Sequence, residues 1–119
     1  MKRDMDLVRE ILLEVEKNPS PYAPVAICIE RYSTDNIAYH VALLVEAGLL
    51  RNYFNDGKIV PASMATCMTW AGHDFLDACR DEGMWQKAKS IIGEQMKSAP
   101  FDVLKTVLVN LIESQVSPA

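Results

Sequence analysis

The sequence predicts one α+β domain, and two observations lead to that prediction. Residues 33–54 have the pattern of a capped amphipathic helix that stops at a glycine and continues directly into a strand. The turn sequence Asn-Asp-Gly-Lys follows at 55–58 and is typical of a hairpin between antiparallel strands. This order indicates a winged helix-turn-helix-like domain with a small antiparallel β-sheet, in which the hairpin is the wing. Additional helices are predicted at the C-terminus.

The first predicted helix covers residues 4–17. Its apolar residues recur at helical spacing, and Asp4 or Asp6 can cap its N-terminus. The proline-containing stretch 18–21 ends it, because proline cannot continue a helix. Residues 24–30 then alternate larger apolar side chains with smaller or polar ones, which favours a short strand. The alternative for this segment is a short helix that would complete a helix-turn-helix.

The central predicted helix begins at Ser33, a good N-cap, and stops at Gly48, a typical C-terminal glycine. The stripe predicted to face the core consists of Ile37, Val41, Leu44 and Val45. The remaining face carries Asn36, Tyr39, His40, Leu43 and Glu46. Strands are predicted over 49–54 and around 64–68, and they would join the earlier strand in a three-stranded sheet.

Two or three further helices are predicted after the wing. Thr69 can cap the first of them, and Gly83 is expected to end it. A second amphipathic segment covers 84–96, and a final helix covers 101–115. The final helix has a wider apolar stripe than one packing contact needs, which predicts insertion into the core or pairing with a second copy. The homodimer contact would be formed by Leu104, Val107, Leu108 and Leu111.

Length and composition favour a single domain over 1–119, with a winged-helix core at 1–83 and a helical extension at 84–119 that could serve in dimerisation. The chain has 119 residues, of which 50% are hydrophobic, and this is enough to bury a core. No apolar segment follows the basic residues at the N-terminus, so a cytoplasmic protein without a membrane span is expected.

The charge distribution weighs against strong DNA binding. The net charge is −4, and residues 1–83 contain eight Lys and Arg against thirteen Asp and Glu. Nonspecific DNA affinity comes mainly from cations that neutralise phosphates. The segment that resembles a DNA reader therefore lacks the usual basic footprint.

Two functions fit these patterns. A DNA-binding transcriptional regulator would place the central helix in the major groove of double-stranded DNA, with hairpin cations touching the backbone. The candidate contacts are Asn36, Tyr39, His40, Arg31, Arg51 and Lys58. The alternative is a protein–protein interaction module that keeps the winged-helix shape without binding DNA. The central helix contains no lysine or arginine, so its outer face suits a protein partner about as well as a DNA groove.

No pattern in the chain predicts an enzyme, a cofactor or a metal site. His73 and Asp77 lie four residues apart on one helix face, but no second cluster supplies the remaining ligands of a zinc ion. The cysteines lack a CxxC spacing and are expected to be reduced thiols. They are Cys28, Cys67 and Cys79. Trp70 and Trp85 are interpreted as core aromatics.

Four blocks of sequence, spread over nearly the whole chain, form a recognisable pattern. They are MKRDMDLVREIL at the start, IAYH with EAGL in the central helix, TWAGHDFLDA, and PFDVLK. Together they resemble a family of uncharacterised bacterial and phage proteins known as a domain of unknown function. The resemblance implies a small winged-helix-like protein, often encoded in phages or prophages, and assigns no catalytic or ligand residues. The chain departs from the pattern at Ala71, where an acidic residue is expected, and at Met68, where leucine is expected.

Overall fold

The computed structural model describes residues 1–20, 23–52, 64–65, 67–93 and 100–116. Within these residues the chain forms five helices and four two-residue strands. The helices are α1 (Met5–Glu16), α2 (Thr34–Glu46), α3 (Trp70–Cys79), α4 (Glu82–Ile92) and α5 (Phe101–Val116). The strands are β1 (Val25–Ala26), β2 (Leu50–Arg51), β3 (Met64–Ala65) and β4 (Cys67–Met68). The predicted α+β class is confirmed, and the arrangement is compatible with a winged-helix-like fold.

The strands pair as two separate antiparallel ladders. β1 pairs with β3, which places Val25 opposite Ala65, and β2 pairs with β4, which places Leu50 opposite Met68. The segment predicted as one strand around 64–68 is therefore divided between two partners. As a result, the described residues form two small sheets instead of the predicted three-stranded sheet.

The segments on either side of α2 were predicted as a strand and a wing. The strand interpretation of 24–30 is confirmed by β1, although only two residues pair. A turn follows, in which the Tyr32 N–H donates to the Ile29 carbonyl at 3.1 Å, and the described residues between β1 and α2 contain no helix. The wing sequence at 55–58, with Lys58, lies outside the described residues, so the wing stays a prediction.

Three helices begin at capping side chains that the sequence predicted. The carboxylate of Asp4 accepts backbone N–H groups in the first turn of α1. The hydroxyls of Ser33 and Thr69 do the same for α2 and α3. After α2 the chain passes through Gly48, whose φ is +79°. This left-handed conformation, which suits glycine, turns the chain from the helix into β2.

Helix α3 ends earlier than the predicted stop at Gly83. It finishes at Cys79, and Asp81 caps a new helix by accepting the Met84 N–H at 2.8 Å. Gly83 therefore lies in the first turn of α4, because the capping carboxylate stabilises a helix start across the glycine. α4 ends at Gly93, which has a φ of +71°.

The core is built around α1. Its inward side chains are shielded from solvent, and they are Met5, Leu7, Val8, Ile11, Leu12 and Val15. Helices α2 and α3 and strand β4 all pack on α1. Helix α5 packs across α3 and α4. All five helices therefore contribute side chains to one continuous apolar cluster.

Helix α5 inserts into this core, which was one of the two alternatives for its wide apolar stripe. Leu104 and Leu108 are each 0% exposed, and Val107 and Leu111 are partly buried against the same cluster. The predicted homodimer contact is thus corrected for Leu104 and Leu108, because both side chains are already buried within the chain. A homodimer through other residues of α5 stays a prediction.

Candidate interaction surface

The structure places His40 inside the protein, where its ring joins α2 to the start of α1. The side chain is 0% exposed. Its Nε2 accepts the backbone N–H of Asp4 at 2.8 Å, and its Nδ1 lies 2.9 Å from the carbonyl oxygen of Asn36. Because a carbonyl can only accept, Nδ1 is the donor in this contact, and Nε2 is the acceptor in the other. The prediction that His40 meets a base edge is therefore corrected, since both ring nitrogens are used within the fold.

The outer face of α2 is acidic. Tyr39 is 41% exposed and meets the buried His40 ring edge-on, with the ring centroids 5.8 Å apart. Asn36 is half-buried, and its side-chain oxygen has no hydrogen-bond partner among the described residues. The exposed charges of the helix are Asp35 and Glu46, and the helix contains no lysine or arginine. This face would present carboxylates, not cations, to a DNA groove.

Arg31, a predicted DNA contact, is engaged within the protein. The guanidinium of Arg31 pairs with Glu10 of α1 and lies over the Tyr32 ring, 5.7 Å from its centroid. The hydrogen bond to Glu10 raises the pKa of Arg31 above its ordinary value. Arg51 is exposed on β2, and Lys58 lies outside the described residues. The described residues thus provide little of the basic footprint that a DNA interface needs.

The two tryptophans lie in opposite environments. Trp85 is 1% exposed, which confirms its interpretation as a core aromatic. Trp70 is 83% exposed at the start of α3, so the same interpretation is wrong for Trp70.

The backbone that carries Trp70 is held firmly in place. The Thr69 N–H donates to the Leu49 carbonyl at 3.0 Å, and the Thr69 hydroxyl donates to the Gly48 carbonyl. Gly72 packs so closely on the same segment that a Cβ there would lie 2.1 Å from the Leu49 carbonyl oxygen. Only glycine permits this approach, so the start of α3 is locked against the end of α2.

Trp70 belongs to a helix face that points away from the core. Its exposed residues recur at helical spacing and are Trp70, His73, Asp74 and Asp77, which we call the Trp70 face. Asp77 pairs with Arg80 at 2.8 Å, whereas Asp74 has no ion-pair partner among the described residues. The face therefore combines an exposed indole with an unpaired carboxylate. The polar residues spaced around Trp70 were the sequence signal that could have predicted its exposure.

Arg80 connects the Trp70 face to α1. Its guanidinium donates to both carboxylate oxygens of Glu16, each at 2.6 Å. This hydrogen bonding lowers the pKa of Glu16 below its ordinary value of 4.5 and raises that of Arg80. The Arg80 and Glu16 side chains are 44% and 35% exposed. Solvent therefore screens the ion pair, and its contribution to stability is small.

Trp85 lies in the contact between α1 and α4, which we call the α1–α4 seam, beside a polar cavity of about 330 Å³. Its indole N–H donates to Asp6 at 2.8 Å, and the ammonium of Lys89 lies 3.2 Å from the same carboxylate. The guanidinium of Arg9 lies over the Trp85 ring, 5.7 Å from the centroid, and 3.1 Å from the Glu82 carboxylate. These residues satisfy one another, so the seam holds the fold together.

An apolar cleft of about 340 Å³ opens between α1, α2 and α5. Its lining includes Met5, Val8, Leu43, Leu44, Leu49 and Phe101, together with the charged Arg3 and Glu46. Most of its described lining is apolar, and a small-molecule site also needs polar groups placed to fix the orientation of the ligand. The cleft therefore does not define a ligand site by itself.

Two further features of the described residues concern the thiol of Cys79 and the arrangement of possible metal ligands. Burial raises the pKa of the Cys79 thiol to about 12, which keeps it protonated and unreactive at neutral pH. No group of three or more His, Cys, Asp or Glu residues in these parts of the chain is arranged to hold a metal ion. No helix among the described residues is long and apolar enough to cross a membrane.

The fold and its surface define a small α+β protein, compatible with a winged-helix-like fold, whose helices α2 and α3 expose acidic and aromatic side chains. The chain belongs to the family described as Hypothetical protein (DUF2513), which matches residues 2–98. This match confirms the family resemblance found in the sequence blocks.

A curated relative extends the similarity over the full chain. An uncharacterized protein of Haemophilus influenzae is 27% identical over 118 residues, which cover 98% of this chain and 100% of the relative. No solved structure matches this chain. The comparisons therefore show the family and leave the function to be argued from the surface.

Proposed function

We propose that the protein is a protein–protein interaction module of winged-helix-like shape, which docks its partner on the Trp70 face. The observation that carries this proposal is the 83% exposure of Trp70. Aromatic side chains bury roughly 150–250 Å² each and dominate interface energetics. Tryptophan is also among the residues most enriched at the energetic centres of protein interfaces.

The rigid attachment of α3 supports a docking role. Thr69 and Gly72 fix the start of the helix against Leu49, so the position of the Trp70 backbone is set before any partner arrives. A preorganised anchor loses less conformational entropy on binding than a mobile one. The exposed indole is thus presented by a scaffold that needs no rearrangement.

A DNA-binding transcriptional regulator is the competing function. It is supported by the winged-helix-like shape and by the exposed Arg51. Against it, His40 is enclosed, Arg31 pairs with Glu10, and the outer face of α2 carries Asp35 and Glu46. Phosphates are attracted by cations and repelled by carboxylates, so these observations favour a protein partner.

The interaction proposal is tested by affinity capture with the full chain, followed by reconstitution. The wild-type protein, Trp70→Ala and Ile91→Ala are immobilised, and bound proteins from cells of the source organism are identified by mass spectrometry. Ile91 is 61% exposed on α4 and serves as the matched control, because its truncation removes exposed apolar surface away from the Trp70 face. The identified partner is then purified and titrated by calorimetry.

We expect a stoichiometric complex that Trp70→Ala weakens by about tenfold or more, while Ile91→Ala changes the affinity by less than about twofold. Electrophoretic mobility shift on duplex DNA is run in parallel over a range of salt concentrations. DNA binding with a negative salt slope that does not depend on Trp70 would favour the regulator. A purified partner that binds wild type and Trp70→Ala equally would overturn the proposal.

A further inference from the structure

We infer that the protein partner docks an arginine on the Trp70 face, with its guanidinium over the Trp70 indole and against the Asp74 carboxylate. This inference rests on the proposed function and names the chemistry of the partner surface. The partner is a protein segment that presents an arginine, and a negatively charged surface is not accepted at this position.

The spacing of the two residues suits one guanidinium. Asp74 lies four residues after Trp70 on the same exposed face, and side chains at that spacing are neighbours on a helix surface. A guanidinium is planar, donates two parallel hydrogen bonds to a carboxylate and stacks on an aromatic ring. Trp70 and Asp74 together offer both kinds of contact from one side of α3.

The protein already contains a comparable arrangement between α1 and α4. In the α1–α4 seam, Arg9 lies over the Trp85 ring at 5.7 Å and pairs with Glu82 at 3.1 Å. Glu82 and Trp85 are three residues apart on one helix, which again makes them neighbours. On α3 the indole and the carboxylate are present, but within the described residues no cation lies over Trp70 or pairs with Asp74. A partner that supplies a cation would complete on α3 the combination of indole, carboxylate and cation that the α1–α4 seam contains.

Charge complementarity points to the same occupant. Asp77 on the Trp70 face is held by Arg80, which leaves the Asp74 charge uncompensated. The net charge of the whole chain is −4, so its average field also attracts a basic segment. A cation over an exposed aromatic ring and a surface ion pair are each weak, and their combination at one point provides specificity more than affinity.

The test is an NMR titration of the ¹⁵N-labelled full chain with an acetylated and amidated Gly-Arg-Gly-Arg-Gly-Arg peptide at low ionic strength. The control peptide replaces every arginine with citrulline, which has nearly the same shape without the charge. We expect a saturable shift of the Trp70 indole N–H signal with the arginine peptide and no shift with the citrulline peptide. The indole signal of the buried Trp85 is an internal reference and should not move.

Variants separate a specific contact from general charge attraction. Trp70→Ala is expected to weaken binding at least about threefold, as followed by the backbone signals of α3. Asp74→Asn is expected to weaken it about two- to fivefold. Glu113→Gln removes the same charge from an exposed position on α5 and is expected to leave the affinity within about 1.5-fold. Circular dichroism checks that each variant remains folded.

Two outcomes would overturn the inference. One is the absence of saturable binding by the arginine peptide. The other is equal weakening by Asp74→Asn and Glu113→Gln, which would show that only the net charge matters. Either outcome leaves the interaction module itself open to its own test, because a captured partner that depends on Trp70 and presents an apolar pocket without arginine would still support that proposal. Failure of the capture experiment and of the titration together would reject both.

Discussion

The α1–α4 seam and the Trp70 face both contain a tryptophan beside a carboxylate, but only the tryptophan of the seam is buried. In the seam, the Trp85 indole is surrounded by Asp6, Arg9 and Lys89, and its N–H has a carboxylate acceptor at 2.8 Å. On the outer face of α3, Trp70 has a carboxylate neighbour but lies 83% in solvent. One tryptophan is enclosed by its own chain, and the other is left open.

The comparison shows how stability and recognition are divided within this small domain. An aromatic ring that is enclosed and hydrogen-bonded contributes to the free energy of folding. A ring that is carried by a fixed backbone but left exposed contributes little to folding, and its apolar area is available to a partner. Four experiments test this division, and the expected effect decreases from the first to the last.

Truncation of the two tryptophans should separate the regions most clearly. Trp85→Ala is expected to reduce the free energy of unfolding by about 3–5 kcal/mol, because it leaves a cavity in the core. Trp70→Ala is expected to change it by less than about 0.5 kcal/mol, because an exposed side chain has few contacts to lose. Urea denaturation of both variants provides the measurement. Equal losses would contradict the division.

Replacement of Gly72 tests whether the Trp70 face is carried by a fixed backbone. A Cβ at this position would lie 2.1 Å from the Leu49 carbonyl oxygen, so the start of α3 must move away from β2. Gly72→Ala is expected to cost about 1–3 kcal/mol or more, as overpacking usually does. Gly83→Ala is the matched control, because its nearest neighbour is a side-chain atom at 3.1 Å. Thermal unfolding should show a much larger decrease for Gly72→Ala.

The two histidines extend the comparison to polar side chains. His40→Leu removes the acceptor of the Asp4 N–H and is expected to cost about 1–3 kcal/mol, since a partly buried donor loses its partner. His73→Leu changes an exposed residue on the Trp70 face and should cost less than about 0.5 kcal/mol. Chemical denaturation of the pair provides the check. If His40→Leu were as stable as the wild type, the hydrogen bonds of the His40 ring would contribute nothing to the free energy of unfolding.

The ion pair between Glu16 and Arg80 links the two regions and should have the smallest effect. The pKa of Glu16 is lowered in the folded protein, so the folded state binds fewer protons than the unfolded state near pH 4.5. The stabilisation is therefore present above that pH and is lost as the pH falls through the lowered value. Glu16→Gln is expected to cost less than about 1 kcal/mol at pH 7 and nothing in strong acid. A cost that persists in acid would argue against the ion pair as its cause.

Local chemistry explains what the sequence predicted well. The caps Asp4, Ser33 and Thr69 and the stop at Gly48 depend on a few neighbouring residues, and the structure places all four as expected. The prediction that Gly83 ends a helix was wrong for a local reason too. The capping carboxylate of Asp81 outweighs the low helix propensity of a single glycine. The helix pattern thus predicted the starts of α1, α2 and α3 correctly and was wrong for the end of α3.

The candidate site was harder to predict because it depends on helix rotation. His40 lies three residues after Ile37 and four before Leu44, which is a core position, yet a polar residue in such a stripe is ordinarily assigned to the surface. The structure brings Gly72 of α3 against Leu49, a contact between distant parts of the chain, and α3 in this position exposes Trp70. Hydrophobicity alone assigned both residues to the wrong side.

The hydrogen bonds of α1 carry a consequence for the order in which the chain folds. The Asp4 N–H meets a ring 36 residues further along the chain, and Asp6 meets an indole 79 residues further along. Contacts between distant residues form late, because the intervening chain must first be closed into a loop. During synthesis the first helix therefore emerges long before its partners. We expect pulse-labelling hydrogen exchange to show the amides of α1, although made earliest, gaining full protection only when α4 has docked.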